Sequence, residues 1–258
     1  MLQKAIFHLI CLEEGYLQGN GGLQLHGWLF HQLARVDAKA ATELHELEHK
    51  PFALSPLIGS ARREGGKMWT RSQQKYSFAL SALNEPMVEL LHKLLALPPA
   101  PIQLGTASFW LEKTKLIYPS GFGYLDLMRT AKYQRAVILH FNSHTSFRQV
   151  EKQFLFPTPK EVFGSLTEKW NAFTNGKFPE LDFDQILQVA RYELKTGMVD
   201  FGSYKIIGFT GHCQYQLAKG QEEIMGVHLD TLARYAALAG VGYKTTMGLG
   251  DTRATRLE

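Results

Sequence analysis

MLQKAIFHLICLEEGYLQGNGGLQLHGWLFHQLARV (Met1–Val36) is the stretch on which the fold turns. Its first twelve residues are rich in Ile, Leu and Phe and read as a strand. A Gly-rich turn follows at Gly19–Gly22, after which Leu25, Trp28, Leu29, Leu33 and Val36 recur at helical spacing and make one apolar stripe. The run from Ala5 to Leu12 is interrupted by His8, ends at Glu13–Glu14 and lacks a small-residue cleavage site, so it reads as a first strand and not as a signal peptide.

Outward from this start, Asp37 caps a second short helix with Ala40, Leu44 and Leu47 on one side and Pro51 past its end. Lys67–Arg71 and Lys75–Leu83 read as a hairpin pair, Pro86–Leu97 as an amphipathic helix and Ile102–Tyr118 as another strand. This is β-α-β-β-α-β, the ferredoxin-like unit. Pro119–Gly123 marks the boundary, giving domains at 1–122 and 123–258. Beyond it, Tyr133–Phe141 alternates as a strand, Lys160–Phe173 and Phe183–Tyr192 read as helices, Tyr204–Leu217 as a long strand or hairpin, and Glu222–Leu238 as a helix. A short polar strand from Asp251 closes the chain. The expected fold class is α+β, two tandem ferredoxin-like (βαββαβ, RRM-like) domains.

The 258 residues are 45% hydrophobic and 20% charged, which excludes a disordered or collagen-like chain. Net charge is only +4, spread over both halves, so no basic tail by itself implies a nucleic-acid partner. The two cysteines, Cys11 and Cys213, support neither a disulfide scaffold nor a zinc cluster. A reducing cytoplasm is the expected location, and no apolar stretch of about 18 residues is present to cross a membrane.

Three constellations could carry chemistry. Gly240-Val-Gly242-Tyr-Lys-Thr-Thr-Met-Gly248-Leu-Gly250 has four glycines in eleven positions, where the overall glycine content would place about one. Such a loop can be a tight turn, or can bring backbone N–H groups to an anion in a nest. It is not a P-loop, because Tyr243 separates Gly242 from Lys244 and the loop follows a helix instead of opening one. Lys244, Thr245 and Thr246 suit phosphate contact. Secondly, His45-Glu-Leu-Glu-His49 matches H-E-x-x-H, so a zinc hydrolase stays open, although Lys50 would place a cation beside the metal and no third ligand is clearly marked. Thirdly, His26 and Phe30 share the flank of the first helix, about 40° apart on a wheel, so His26 and His45 could face one cleft. A separate basic series, Arg148, Lys152, Lys160 and Lys169, surrounds Phe147, Phe154, Phe156 and Trp170; it suits phosphate neutralisation beside base stacking, or is an ordinary solvated face.

The Gly240–Gly250 loop, together with Lys50-Pro-Phe-Ala-Leu-Ser-Pro-Leu57 after the His45 helix, resembles the CRISPR-associated endoribonuclease Cas6 family of the RAMP superfamily. So do Phe141-Asn-Ser-His-Thr-Ser-Phe-Arg148, Phe156-Pro-Thr-Pro159 and Ser165-Leu-Thr-Glu-Lys-Trp-Asn-Ala-Phe173. These segments fall in the family's order and cover both halves of the chain.

The resemblance implies two ferredoxin-like domains and metal-independent cleavage of precursor CRISPR RNA within its repeats, without a cofactor. The implied chemistry is attack of a 2′-hydroxyl on the adjacent phosphorus, leaving a 2′,3′-cyclic phosphate and a 5′-hydroxyl. It implies His45, in its Leu44-His45-Glu46 setting, as a catalytic residue, with His26 as the second acid–base group and Lys50 stabilising the phosphorane. Some members carry a tyrosine on the first helix where this chain has Phe30, so no phenol is available there. Lys244, Thr245, Thr246, Gly242, Gly248, Gly250, Arg148, Lys152 and Lys169 are the expected RNA contacts. The implied partner is the precursor repeat; a place in a CRISPR effector complex and a homodimer are both compatible with the resemblance. A non-catalytic RNA-binding subunit of such a complex is the alternative of another class, since those proteins share the fold and the Gly-rich loop.

Overall fold

The computed structural model describes residues 1–149 and 152–257. The chain forms two compact units. The first holds Met1–Gly121 and takes back Val199–Ile206 and Thr246–Gly248; the second is made from the rest of the described chain. The two returning segments are what a contiguous division at residue 122 does not contain.

In the first unit, β1 (Gln3–Glu13) leads through α1 (Gly22–Val36) and α2 (Ala38–Glu46) to β2 (Phe52–Leu54), and β3 (Lys75–Ala82) leads through α3 (Glu85–Leu95) to β4 (Ala107–Leu116). The sheet runs β2-β3-β1-β4, all antiparallel, with Ile102–Leu104 added beside β4. Alternate residues Ala5, Phe7, Leu9 and Cys11 of β1 point into the core, where Leu25, Leu29 and Leu33 of α1 and Leu91 and Leu94 of α3 meet them. Phe7 and Phe78 stack across the β1–β3 pair with ring centres 4.6 Å apart. Each such leucine or phenylalanine contributes roughly 1.5–3 kcal/mol by leaving water, so the apolar stripe legible in Met1–Val36 holds this layer together.

The second unit repeats the plan. After the short α4 (Tyr124–Arg129) come β5 (Ala136–Thr145), α5 (Pro159–Phe173), β6 (Leu187–Asp200), β7 (Lys205–Leu217), α6 (Glu223–Ala239) and β8 (Thr252–Arg256). Its sheet order is β6-β7-β5-β8. Apart from α2 and the Ile102–Leu104 strand of the first unit, strand order and helix placement are thus the same in both units, β-α-β-β-α-β with the first strand inside and the last beside it, and both are ferredoxin-like. Val137, Leu139 and Phe141 of β5 and Phe209, Cys213 and Tyr215 of β7 form the buried face, covered by Val162, Phe163, Leu166 and Trp170 of α5 and Leu232, Ala233 and Ala236 of α6. Both cysteines are buried free thiols.

Three sequence expectations are corrected. Lys67–Trp69 does not pair with Lys75–Ala82; it lies between Tyr16–Gln18 and Arg62–Glu64 in a separate three-stranded sheet. The partners of β3 are β1 on one side and, on the other, the fully buried Phe52-Ala-Leu54 with Ile58–Gly59 after it, because burying three consecutive residues at the sheet's flank outweighs the nearness of Lys67 in the chain. Helix over Phe183–Tyr192 is confined to one turn at Phe183–Ile186, and Leu187 opens a long strand. A short apolar run such as Ile186, Leu187 and Val189 fits either period, and the vacant place beside β7 decides for a strand. Ile102–Tyr118 is two strands, because Gly105 at φ 59° turns the chain into a hairpin.

Candidate active site and nucleic-acid interface

The first unit builds its histidine site at the N-terminal end of α1. Gly21, at φ 78°, offers no side chain to cap the helix. Asn20 does the work instead: its Oδ1 accepts from Gly22 N–H at 3.0 Å, and its Nδ2 donates to the Gly248 carbonyl at 2.8 Å. A buried asparagine thus ties the start of α1 to the returning Thr246–Gly248 segment. Gly22 lies so close that a Cβ there would sit 2.1 Å from the Met247 carbonyl oxygen. Gly22→Ala is therefore expected to displace the segment and cost about 1–3 kcal/mol; thermal unfolding that matches wild type would refute this close packing.

One turn along α1, His26 is half-buried and its Nδ1 lies 3.0 Å from the Thr246 carbonyl oxygen. A carbonyl only accepts, so Nδ1 carries the proton, and in the neutral ring Nε2 is left as the basic nitrogen. The ring packs on Phe30 at 4.8 Å and lies near-parallel to Phe52 at 6.0 Å. Phe30 in turn meets the edge of His45 at 5.2 Å. His45 is on the exposed side of the last turn of α2, a helix capped by the Asp37 carboxylate on Ala40 N–H at 2.9 Å and anchored by buried Ala41 and Leu44. The structure thus brings His26 and His45 into contact with the same Phe30 ring. Lys50 follows on the same segment, and its ammonium donates to the Leu47 carbonyl at 2.7 Å, which keeps it beside the end of α2.

The zinc reading of His45-Glu-Leu-Glu-His49 loses its premise. It needs both histidines on one helix face, but α2 ends at Glu46 and Leu47 is extended at φ −59°, ψ 135°. Among the described residues, no three His, Cys, Asp or Glu side chains come together as a ligand set.

The Gly-rich loop is built differently from an anion nest. Three of its N–H groups are already spent: Tyr243 donates to Ser146 O at 2.9 Å, Val241 to Gly250 O at 2.9 Å, and Gly250 to His144 O at 3.1 Å. Its carbonyls turn inward instead. In the second unit they converge on Lys169, whose ammonium donates to Ala239 O (3.4 Å), Gly240 O (3.1 Å) and Gly242 O (3.3 Å) and to Thr245 Oγ1 at 3.3 Å. The ammonium end is enclosed, though the residue as a whole keeps some exposed surface. Burial pulls its pKa down to about 7, with the Glu168 carboxylate acting the other way. Gly240, Gly242, Gly248 and Gly250 all have positive φ, and Lys244 shares that region at φ 56°, so the winding needs glycine at these positions.

The expected RNA contacts therefore separate. Arg148 and Lys244 converge on Tyr243: the Arg148 guanidinium carbon is 5.7 Å and the Lys244 Nζ 5.3 Å from its ring centre, and Arg148 Nη1 donates to its hydroxyl at 3.4 Å. Lys152 is exposed on the neighbouring hairpin, opposite Gln149. Lys169 and the Thr245 hydroxyl are instead turned into the protein. Tyr243, Asn20 and the Thr246 carbonyl were missed in the sequence. A hint existed only for Asn20, an amide set among three glycines in Gly19-Asn-Gly-Gly22.

Residues 139–252 match the family model for CRISPR-associated endoribonuclease Cas6. The chain is 28% identical over 249 residues to the CRISPR-associated endoribonuclease Cas6 of Mycobacterium tuberculosis (strain CDC 1551 / Oshkosh), covering 92% of this chain and 72% of that protein. It is 20% identical over 239 residues to that of Streptococcus thermophilus, covering 90% of each. Among solved structures, a Cas6 (TTHB231) product complex superposes with a TM-score of 0.79 at 26% identity over 99% of both chains. A Cas6 (TTHA0078) substrate mimic complex superposes at 0.71 and 26%, over 99% of this chain and all of that one. With the same two-unit fold and matches to whole relatives that run along nearly its full length, this chain is similar to the CRISPR-associated endoribonucleases Cas6.

Proposed function

We propose that this protein cleaves precursor CRISPR RNA within its repeats by a metal-independent transesterification. The observation that carries the reading is the hydrogen bond from His26 Nδ1–H to the Thr246 carbonyl, because it fixes the tautomer and leaves Nε2 as a base. Nε2 of His26 takes the proton of the 2′-hydroxyl, the 2′-oxygen forms a bond to the adjacent phosphorus, and the bond from phosphorus to the 5′-oxygen breaks. His45 as imidazolium gives its proton to that leaving oxygen. The products are a 2′,3′-cyclic phosphate and a 5′-hydroxyl. In-line displacement places the attacking and leaving oxygens on opposite sides of phosphorus, which calls for two proton-transfer groups, and the two imidazoles that share the Phe30 ring fill those roles. Lys50 supplies a cation on the His45 side, where charge accumulates on the phosphorane. Arg148 and Lys244 on Tyr243, with Lys152 nearby, hold the RNA backbone, while Lys169 and Thr245 shape the loop that presents Lys244. Thr246, Gly242, Gly248 and Gly250 act through the course of that loop.

The test is incubation with repeat RNA in EDTA followed by analysis of the product ends. Cleavage leaving a cyclic phosphate, and none when the scissile nucleotide is 2′-deoxy, is the expected result. Cleavage that stops in EDTA, or that tolerates the 2′-deoxy nucleotide, overturns the mechanism. Tight repeat binding without cleavage would make the protein an RNA-binding subunit.

A further inference from the structure

Beside the start of α1, the first unit builds a small sheet from Tyr16–Gln18, Lys67–Trp69 and Arg62–Glu64. Its register sorts the side chains into two faces. Leu17, Met68 and Arg63 stand opposite one another on the inner face, where Leu17 and Met68 are fully buried. The outer face carries two rows, Tyr16, Trp69 and Arg62 in one and Gln18, Lys67 and Glu64 in the next. There Trp69 stays 38% exposed beside the half-buried Tyr16, with ring centres 5.1 Å apart. Lys67 Nζ lies 4.0 Å from the centre of the Tyr16 ring and 6.0 Å from that of Trp69.

On this outer face Arg62 is neutralised by its ion pair with Glu64. Among the described residues, no carboxylate lies within 4.0 Å of the Lys67 ammonium. Asp200, next to Gly66, is engaged by Lys205 at 3.8 Å and by the Gly202 N–H at 2.8 Å. One uncompensated cation therefore stands against two aromatic rings. The backbone beneath them is fixed: Tyr16 N–H donates to Thr106 Oγ1 at 2.9 Å, Thr70 N–H to the Gly15 carbonyl at 2.9 Å, and Gly19 N–H to the Gly66 carbonyl at 2.8 Å. The last of these bonds joins the sheet to the glycine turn that opens α1, the helix of His26.

An open indole face next to a single cation matches one unpaired nucleotide, with its base on the ring and its phosphate on the ammonium. A protein partner would need a wider apolar surface, whereas Trp69 is bordered here by Gln18, Lys67, Arg62 and Glu64. We propose that Trp69, with Tyr16 and Lys67, is a stacking platform for one unpaired nucleotide of the repeat RNA, away from the scissile phosphate. The inference rests on the reading of the protein as a repeat-RNA endoribonuclease, and its contribution is to affinity, not to the chemical step.

Trp69→Ala and Trp69→Phe test it, together with repeat RNAs in which one unpaired nucleotide at a time is abasic. Affinity is read as a function of salt, with RNA that is 2′-deoxy at the scissile nucleotide, and cleavage of unmodified RNA is read at saturating protein. Trp69→Ala is expected to bind roughly 5–150-fold more weakly, the range for losing one base stacked on an aromatic ring, and Trp69→Phe to recover most of the loss. The slope of log affinity against log salt should stay at the wild-type value in Trp69→Ala and fall by about 0.7 in Lys67→Gln, which loses a phosphate contact to a single strand. One abasic position should weaken wild type as much as Trp69→Ala does and add little in that variant, because both remove the same contact. The single-turnover rate at saturation and the melting temperature should match wild type. If Trp69→Ala melts early, Trp69→Thr, a strand former, takes its place in the same comparison. Unchanged affinity in a folded Trp69→Ala or Trp69→Thr protein overturns the proposal, and so does a loss that adds in full to that of every abasic position. A variant that binds RNA as wild type does but differs from it in sedimentation also overturns it, since the face would then be a protein contact. Failure of the wild type itself to bind and cut repeat RNA would instead sink the endoribonuclease reading.

Discussion

His45→Ala is expected to lower the single-turnover cleavage rate of repeat RNA by about 10²–10⁴-fold, the range that a positioned general acid or base contributes. Repeat affinity should stay near that of wild type. The separation of the two effects follows from where His45 sits. It is exposed on α2, which is held by Ala41 and Leu44 in the core and by the Asp37 cap, so removing the imidazole takes away an edge contact with Phe30 and little else. His26→Ala should also slow cleavage, but there the loss includes the bond to Thr246, so part of its effect will appear as lower stability. Cleavage by His45→Ala at an undiminished rate would remove His45 from the mechanism.

Lys169→Met is expected to act on the loop and not on the chemistry. The methionine fills most of the space but leaves three carbonyls and the Thr245 hydroxyl without the amino group they share. An acceptor buried without a partner costs about 1–3 kcal/mol, and we expect at least that loss near pH 8, together with weaker repeat binding. The pH dependence has a definite sign. The folded pKa of Lys169 lies near 7, below its ordinary value of 10.5. Between those values the unfolded chain binds a proton that the folded chain does not, so this group makes wild type more stable as pH rises, by up to about 1.4 kcal/mol per pH unit. Below about pH 7 both states are charged and the cost of burying the charge is complete. The stability gap between wild type and Lys169→Met should therefore narrow as pH falls toward 7. Denaturant unfolding of both proteins on either side of pH 7 measures it. A gap that widens on acidification, or equal stability throughout, would show that Lys169 does not hold the loop as the distances imply.

Lys169 also shows what a linear reading misses. Its spacing from Arg148, Lys152 and Lys160 along an amphipathic helix suggests a solvated basic face, and charge counting treats all four alike. In the folded chain α5 turns this one ammonium toward the carbonyls of a loop seventy residues onward. Nothing in the residue type distinguishes a lysine bound for solvent from one bound for a ring of carbonyls. The H-E-x-x-H match at His45 fails for a related reason: the letters carry the spacing, but only the end of α2 at Glu46 says whether that spacing is helical.

What the amino-acid order determined by itself was whatever rests on local periodicity and local chemistry. The apolar stripe of α1, the Asp37 cap, the alternation in β5 and the helix of Glu223–Ala239 follow from 3.6- and 2-residue repeats, and two β-α-β-β-α-β units follow from their order. The concentration of glycine at Gly240–Gly250 likewise announces a loop that other side chains could not form. The tertiary structure alone decided which strand lies beside which, as with Phe52–Leu54 taking the place expected for Lys67–Arg71, and it alone set the carbonyl of Thr246 on His26. Both are choices between distant partners. They are settled by burial and by the need to satisfy every buried polar group at once, conditions that belong to the whole packed chain and to no segment of it.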